Sequence, residues 1–143
     1  AIFLPPMLTV DQIVSLLQQN DTFAEAPEAI LRELAADMKE RAVAVGEVLI
    51  EQGKKCGSLY AATGGEFGVF IDGDGEPIAQ LGRGRVFGEI GAVSGMKATA
   101  TVSALSAGTV LEIPGPALHR AFGQSPKLAE SVLRSLSRYL GAK

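Results

Sequence analysis

Apolar positions along the chain recur first at helical spacing, then in short β-rich runs, then at helical spacing again. Val10, Ile13, Val14 and Leu17 follow Thr9, whose hydroxyl suits a helix N-cap, and Asn20-Asp21-Thr22 interrupts them. That pattern predicts a short amphipathic entry helix. Pro27 stands where a helix tolerates proline, in its first turn, and Ile30, Leu31, Leu34, Ala35 and Met38 share one face. A second helix is therefore expected to end near Met38.

From Arg41 the runs become short and rich in Val, Ile, Phe and Thr, with glycines between them: 42–45, 48–50, 58–63, 66–71, 77–81, 99–105 and 109–113. Many short strands with closely spaced turns predict an antiparallel sandwich or roll. Asp72-Gly73-Asp74-Gly75 reads as a hairpin turn, because Asp and Gly accept the positive φ of tight turns. A calcium loop does not fit, since the further oxygen ligands and the distal Glu are missing. After Pro114-Gly115-Pro116 come Leu118 and Phe122 in a short helix, then Leu128, Val132, Leu136 and Leu140 along a last one, with Glu130, Arg134 and Arg138 as an ion-pair row. The fold class expected is α+β: N-terminal helices over 8–38, an antiparallel β-roll over 41–113 and C-terminal helices over 114–143.

A length of 143 residues fits one domain. Hydrophobic residues at 47% and charged ones at 20% predict a packed soluble core. A net charge of -3 argues against direct nucleic-acid binding, which needs clustered Lys and Arg to release counterions. The single cysteine, Cys56, cannot form an internal disulfide and lies in a polar Gly-Lys-Lys-Cys-Gly stretch read as an exposed loop, which suits a reducing, cytoplasmic compartment. The apolar run Ala1 to Leu4 has no basic flank and stops at Pro5-Pro6, so neither a signal peptide nor membrane insertion is expected, and an opening on Ala suggests a piece of a longer protein.

Candidate chemistry concentrates between Leu81 and Ala104, read as strand, Gly-rich turn, short helix, loop and strand. Gly88 lacks a Cβ, so backbone amides there can approach an anion, and a helix opening just after it aims unpaired N–H groups at the same point. Glu89 at the edge of that cradle would repel a phosphate but can accept from a ribose hydroxyl, a pairing that suits a nucleotide. Thr99 and Thr101 add hydroxyls, although threonine is also an ordinary strand former and Thr101 is the better candidate for a structural role. Gly82, Gly84 and Gly88 make a loose dinucleotide-binding fingerprint, but Ser94-Gly95 ends the helix too early for a crossover. His119, the only histidine, has no cysteine or carboxylate at ligand spacing, and no nucleophile-base pair presents itself, so neither a metal site nor an enzyme is expected.

Gly46, Gly53, Leu59-Tyr60 with Gly65-Glu66, Leu81-Gly82, Gly84, Phe87-Gly88-Glu89 and Ala100-Thr101-Val102-Ser103-Ala104 together carry a resemblance to the cyclic-nucleotide-binding domain family. That family includes catabolite-activator-type regulators, kinase regulatory domains and gated channels, and the resemblance covers about Leu31 to Leu140. It implies a jelly-roll-like β-roll (a double-stranded β-helix) with a phosphate-binding cassette over 87–102 and a short cassette helix. It further implies that Gly88, Glu89, Ile90 and Gly91 hold the sugar and cyclic phosphate, beside an apolar wall from Val69 and Ile78. The chain departs from the family at Ala98, where the cassette normally carries an arginine facing the phosphate. Loss of a charge-assisted partner costs on the order of a few kcal/mol, about a hundredfold in affinity. Lys97 is a candidate replacement, although neighbours on an extended segment point to opposite sides, and Arg83 and Arg85 are further candidates that read more simply as exposed turn residues.

The function so implied is a regulatory sensor that binds a cyclic nucleotide, cAMP ahead of cGMP, and uses no other cofactor. Occupancy would move the C-terminal helix as a lid and control an effector domain of the same longer chain, with a homodimer through that helix as a further option. Two alternatives stay open: a degenerate roll serving as an interaction or oligomerisation module, and a pocket adapted to another small ligand.

Overall fold

The computed structural model describes residues 8–73 and 75–140. Among them the order is α1 (Val10–Gln18), α2 (Glu28–Ala36), β1 (Lys39–Val43), β2 (Val48–Ile50), β3 (Ser58–Gly64), β4 (Phe67–Phe70), β5 (Ala79–Leu81), β6 (Val86–Phe87), α3 (Glu89–Ser94), β7 (Thr101–Ala104), β8 (Gly108–Pro114), α4 (Gly115–Gln124) and α5 (Pro126–Leu140). The first helix follows its cap as expected: the Thr9 hydroxyl accepts from the Gln12 N–H at 3.1 Å while Gln12 Oε1 accepts from the Thr9 N–H at 2.9 Å. Pro27 sits one position outside α2, as its N-cap, and that helix ends at Ala36 instead of running to Met38. Lys39 already belongs to β1, so the roll spans 39–114 where 41–113 was expected.

Eight strands form two four-stranded sheets, β1-β8-β3-β6 and β2-β7-β4-β5, in which every pairing is antiparallel. The architecture is α+β with a β-roll, as expected, with one strand more than the sequence pattern indicates. Glycine makes the closure possible at Gly65, whose φ is +83° and whose missing Cβ leaves room for the Gly108 Cα and the Ala107 carbonyl oxygen on the facing turn. The β4–β5 hairpin turns through Asp72 at φ 58° and Gly73 at φ 93°, while the expected turn residue Asp74 lies outside the described residues.

The sheet β1-β8-β3-β6 divides two cores, because successive strand residues face opposite sides. Leu59 and Ala61 of β3, Leu111 and Ile113 of β8 and Val86 of β6 face the helices, where they meet Leu17, Phe23, Leu31, Leu118, Leu128 and Val132. Tyr60, Ala62, Val110 and Phe87 face the interior of the roll with Phe67, Leu81 and Val102. Burying side chains of this size contributes about 1.5–3 kcal/mol each, so both layers are needed to offset the entropy of ordering the chain. The Asn20 amide donates to the Gly84 carbonyl at 2.9 Å and Ser131 Oγ to the Asp21 carbonyl at 3.4 Å, tying the α1–α2 connection both to the roll and to α5. On α5, Arg134 pairs with Glu130 at 3.3 Å, while the side chains of Leu136, Arg138 and Leu140 lie outside the described residues.

Candidate functional site

Between β6 and β7 the chain wraps around one end of the roll. Gly88, at φ 90°, turns the chain out of β6 and caps α3, a conformation that a side chain would strain. A Cβ at Gly88 would lie 2.9 Å from the Ser58 carbonyl oxygen and one at Gly91 would overlap the Cys56 carbonyl oxygen, so both glycines are required for α3 to lie against the strand that begins at Ser58. The first bond inside α3 runs from the Ala92 N–H to the Gly88 carbonyl at 3.1 Å, which leaves the amides of Glu89, Ile90 and Gly91 outside the helix's own ladder. The side chains of Glu89 and Ile90 lie outside the described residues, so only their backbone place at the start of α3 is given.

The segment after α3 returns along the loop that precedes β3: the Ala98 N–H donates to the Lys54 carbonyl and the Gly53 N–H to the Ala98 carbonyl, both at 2.9 Å. These bonds hold Ala98 half-buried beside the roll core, with Thr99 next to it. Thr101 Oγ1 accepts from the Gln52 N–H at 3.0 Å, the structural role expected of it.

A cavity of about 270 Å³ opens between this segment and the sheets. Its base is apolar, made by Ile50, Leu81, Phe87 and Val102. Val69, Ile78 and Ala79 form one wall, with Ile78 63% exposed and therefore at the rim. Gly88, Gly91, Ala98, Thr99 and Ala100 form the opposite wall. Six residues picked from sequence thus come together here: Val69, Ile78, Gly88, Gly91, Ala98 and Thr99. Lys97 is exposed and outside this lining, held in an antiparallel bridge with Lys55.

One lining residue was read differently from sequence. Cys56 is half-buried in the cavity wall, its thiol 3.5 Å from the Ser58 carbonyl, and not in an exposed loop. Arg85, exposed as the turn reading expected, also lines the cavity, whereas Arg83 is exposed and outside it. The signal available for its place in the lining was its spacing of two from Phe87, with Arg85 directly before β6 and its carbonyl accepting from the Ala62 N–H. For Cys56 the polar neighbours pointed the other way.

Behind the base, Tyr60 stacks on Phe87 with ring centroids 5.6 Å apart, and burial together with the Glu112 charge pushes its phenol up to about 12. Lys54, beside the cavity loop, is held by Glu51 at 2.7 Å, which raises its ammonium above the ordinary value. His119 is exposed and sits edge-on to Phe122 at 5.7 Å, away from the lining. No group of three or more His, Cys, Asp or Glu placed to hold a metal ion occurs among the described residues, and no helix among them is long and apolar enough to cross a membrane.

Residues 40–125 match the family model described as "Cyclic nucleotide-binding domain". A cGMP-dependent protein kinase of Drosophila melanogaster, isozyme 1, is 30% identical over 66% of this chain and 12% of its own length. An uncharacterized NTE family protein of Mycobacterium bovis is 27% identical over 87% of this chain and 21% of its own. The chain thus spans an eighth to a fifth of these relatives. Among solved structures, the regulatory domain of Toxoplasma gondii PKA, crystallised with cAMP, superposes with a TM-score of 0.73 at 25% identity, covering 78% of this chain and 44% of that one.

Proposed function

The chain belongs to the cyclic nucleotide-binding domain family, and from that premise we propose that it is a regulatory sensor whose cavity takes a cyclic nucleotide, cAMP in preference to cGMP. The observation that carries this reading is the meeting of the Gly88–Gly91 turn, Ala98 and Thr99 on one side of a single cavity with Val69 and Ile78 on the other. A sugar-phosphate fits against backbone amides and the Thr99 hydroxyl, and a flat base against the branched aliphatic wall. Adenine suits that wall better than guanine, whose additional polar edge would be desolvated against aliphatic side chains without partners. In this reading Glu89 accepts from the ribose hydroxyl.

The regulatory part of the proposal rests on α3, which touches the cavity through Gly91 and the helical core through Ala92. Occupancy shifts α3, α4 and α5 together, and α5 passes the change to an effector domain within a longer chain. A homodimer through α5 is a further form that output can take.

Isothermal titration calorimetry of the purified domain with cAMP and with cGMP tests the reading. Binding of cAMP in the micromolar range or tighter, with cGMP weaker, is the expected result. No heat with either nucleotide up to millimolar concentration overturns it. Ala98 favours a second reading, in which the roll has given up nucleotide binding and serves as an interaction module; the same null titration is the result expected there.

A further inference from the structure

On the premise that the cavity takes a cyclic nucleotide, we propose that Arg85 supplies the cationic contact to its phosphate in place of a side chain at position 98. The family places that cation after α3, whereas here it comes from the residue directly before β6.

Three observations converge on Arg85. Among the described lining residues it alone carries a charge, the remainder being aliphatic, aromatic, glycine, cysteine or threonine. It lies directly before β6, where Val86 faces the helical core and Phe87 the roll, so alternation puts Arg85 on the roll side with Phe87. Its backbone is pinned, its N–H donating to the Gly82 carbonyl at 3.1 Å and its carbonyl accepting from the Ala62 N–H at 2.9 Å, while its guanidinium makes no ion pair with any described residue.

The other nearby cations are placed elsewhere. Lys97, exposed as Arg85 is, lies outside the lining, Lys54 is paired with Glu51, and Lys55 faces a neighbouring groove. A phosphate monoanion set against an otherwise uncharged lining needs one positive partner to offset its desolvation. Arg85 stands three residues before Gly88, a separation of at most about 10 Å along the chain, and a planar guanidinium can meet two phosphate oxygens at once.

The test is cAMP titration of four proteins: the parent, Arg85→Ala, Arg85→Gln and the double variant Arg85→Ala/Ala98→Arg. The expected result is an affinity loss of about tenfold or more in both single variants, at unchanged melting temperature, and recovery in the double variant, where the cation is restored from the other wall. Undiminished binding by Arg85→Ala and Arg85→Gln overturns the assignment while leaving the ligand class intact. A loss that Ala98→Arg does not repair overturns the exchange of one cationic position for the other. Failure of the parent itself to bind cAMP or cGMP overturns the cyclic-nucleotide reading and this inference with it.

Discussion

At position 98 a methyl group occupies the slot where the family resemblance places an arginine, and its backbone is fixed on both sides by bonds to Lys54 and Gly53. The backbone at that position is therefore fixed, and the side chain it carries is uncharged. Ala98→Arg is expected to tighten cAMP binding about tenfold to a hundredfold, read by calorimetry, because a charge-assisted contact would be added without moving the chain. If that variant gains nothing, the cassette geometry does not present position 98 to a phosphate. Glu89→Ala is expected to weaken cAMP by about tenfold, and an unaltered affinity removes Glu89 from the sugar. Tyr60 gives a residue-scale check on the roll core itself. Burial raises its phenol to about 12 in the folded protein, against 10.0 ordinarily. A proton held more tightly in the fold adds stability that is fully present below pH 10 and lost as pH rises from there toward 12, where only the unfolded chain ionises freely. Ultraviolet titration of the phenolate and urea midpoints across that range measure it; in Tyr60→Phe this alkaline decline should be smaller.

At the scale of elements, legibility in the sequence followed length and periodicity. The first helix could be read from Thr9 and its apolar face because a capping box and a helical period act over many residues. The two-residue strand β6 could not, since a period of two needs more residues to declare itself, and the Gly-Arg-Gly-Arg that precedes it reads as a turn. That missed strand also hid the spacing of two between Phe87 and Arg85, which is exposed and directly precedes β6. Lys39, Glu40 and Arg41 hid the start of β1, whose polar residues pair with β8 through the backbone ladder and an Arg41–Glu112 ion pair at 3.8 Å. The glycines of the turn were legible as glycines, but which of them are sterically required was not, because that depends on the loop packed against α3. Gly91→Ala is expected to destabilise by about 1–3 kcal/mol in urea denaturation, since its Cβ meets the Cys56 backbone and the loop must shift. Gly95→Ala faces open space and bears only the cost of its left-handed φ of 71°, about 1 kcal/mol. A Gly91→Ala variant no less stable than Gly95→Ala would refute the close approach of α3 to Cys56.

Across the whole molecule the two cores meet through β3, β8 and β6, and among the described elements α3 alone reaches both the cavity wall and the helical layer without being part of a sheet. Gly91 lines the cavity and the adjacent Ala92 is 4% exposed in the cluster that holds Ala117, Leu118, Leu128 and Val132. A shift of α3 on ligand binding moves Ala92 inside that buried cluster, so α4 and α5 are expected to repack or follow. The strands are tied into ladders and have no such freedom. Hydrogen exchange with and without cAMP should therefore show added protection in 88–95 together with altered protection across α4 and the described part of α5, while β1 and β8 change little. Ala92→Gly, by loosening that contact, should reduce the change in α4 and α5 more than the change around the cavity. Protection confined to the cavity in the parent protein would mean that occupancy is not transmitted through α3, and that any output to an effector takes another route. The Asn20 bond to the Gly84 carbonyl beside Arg85 is the second connection from the cavity to the helices, and Asn20→Ala with the same measurement tells the two routes apart.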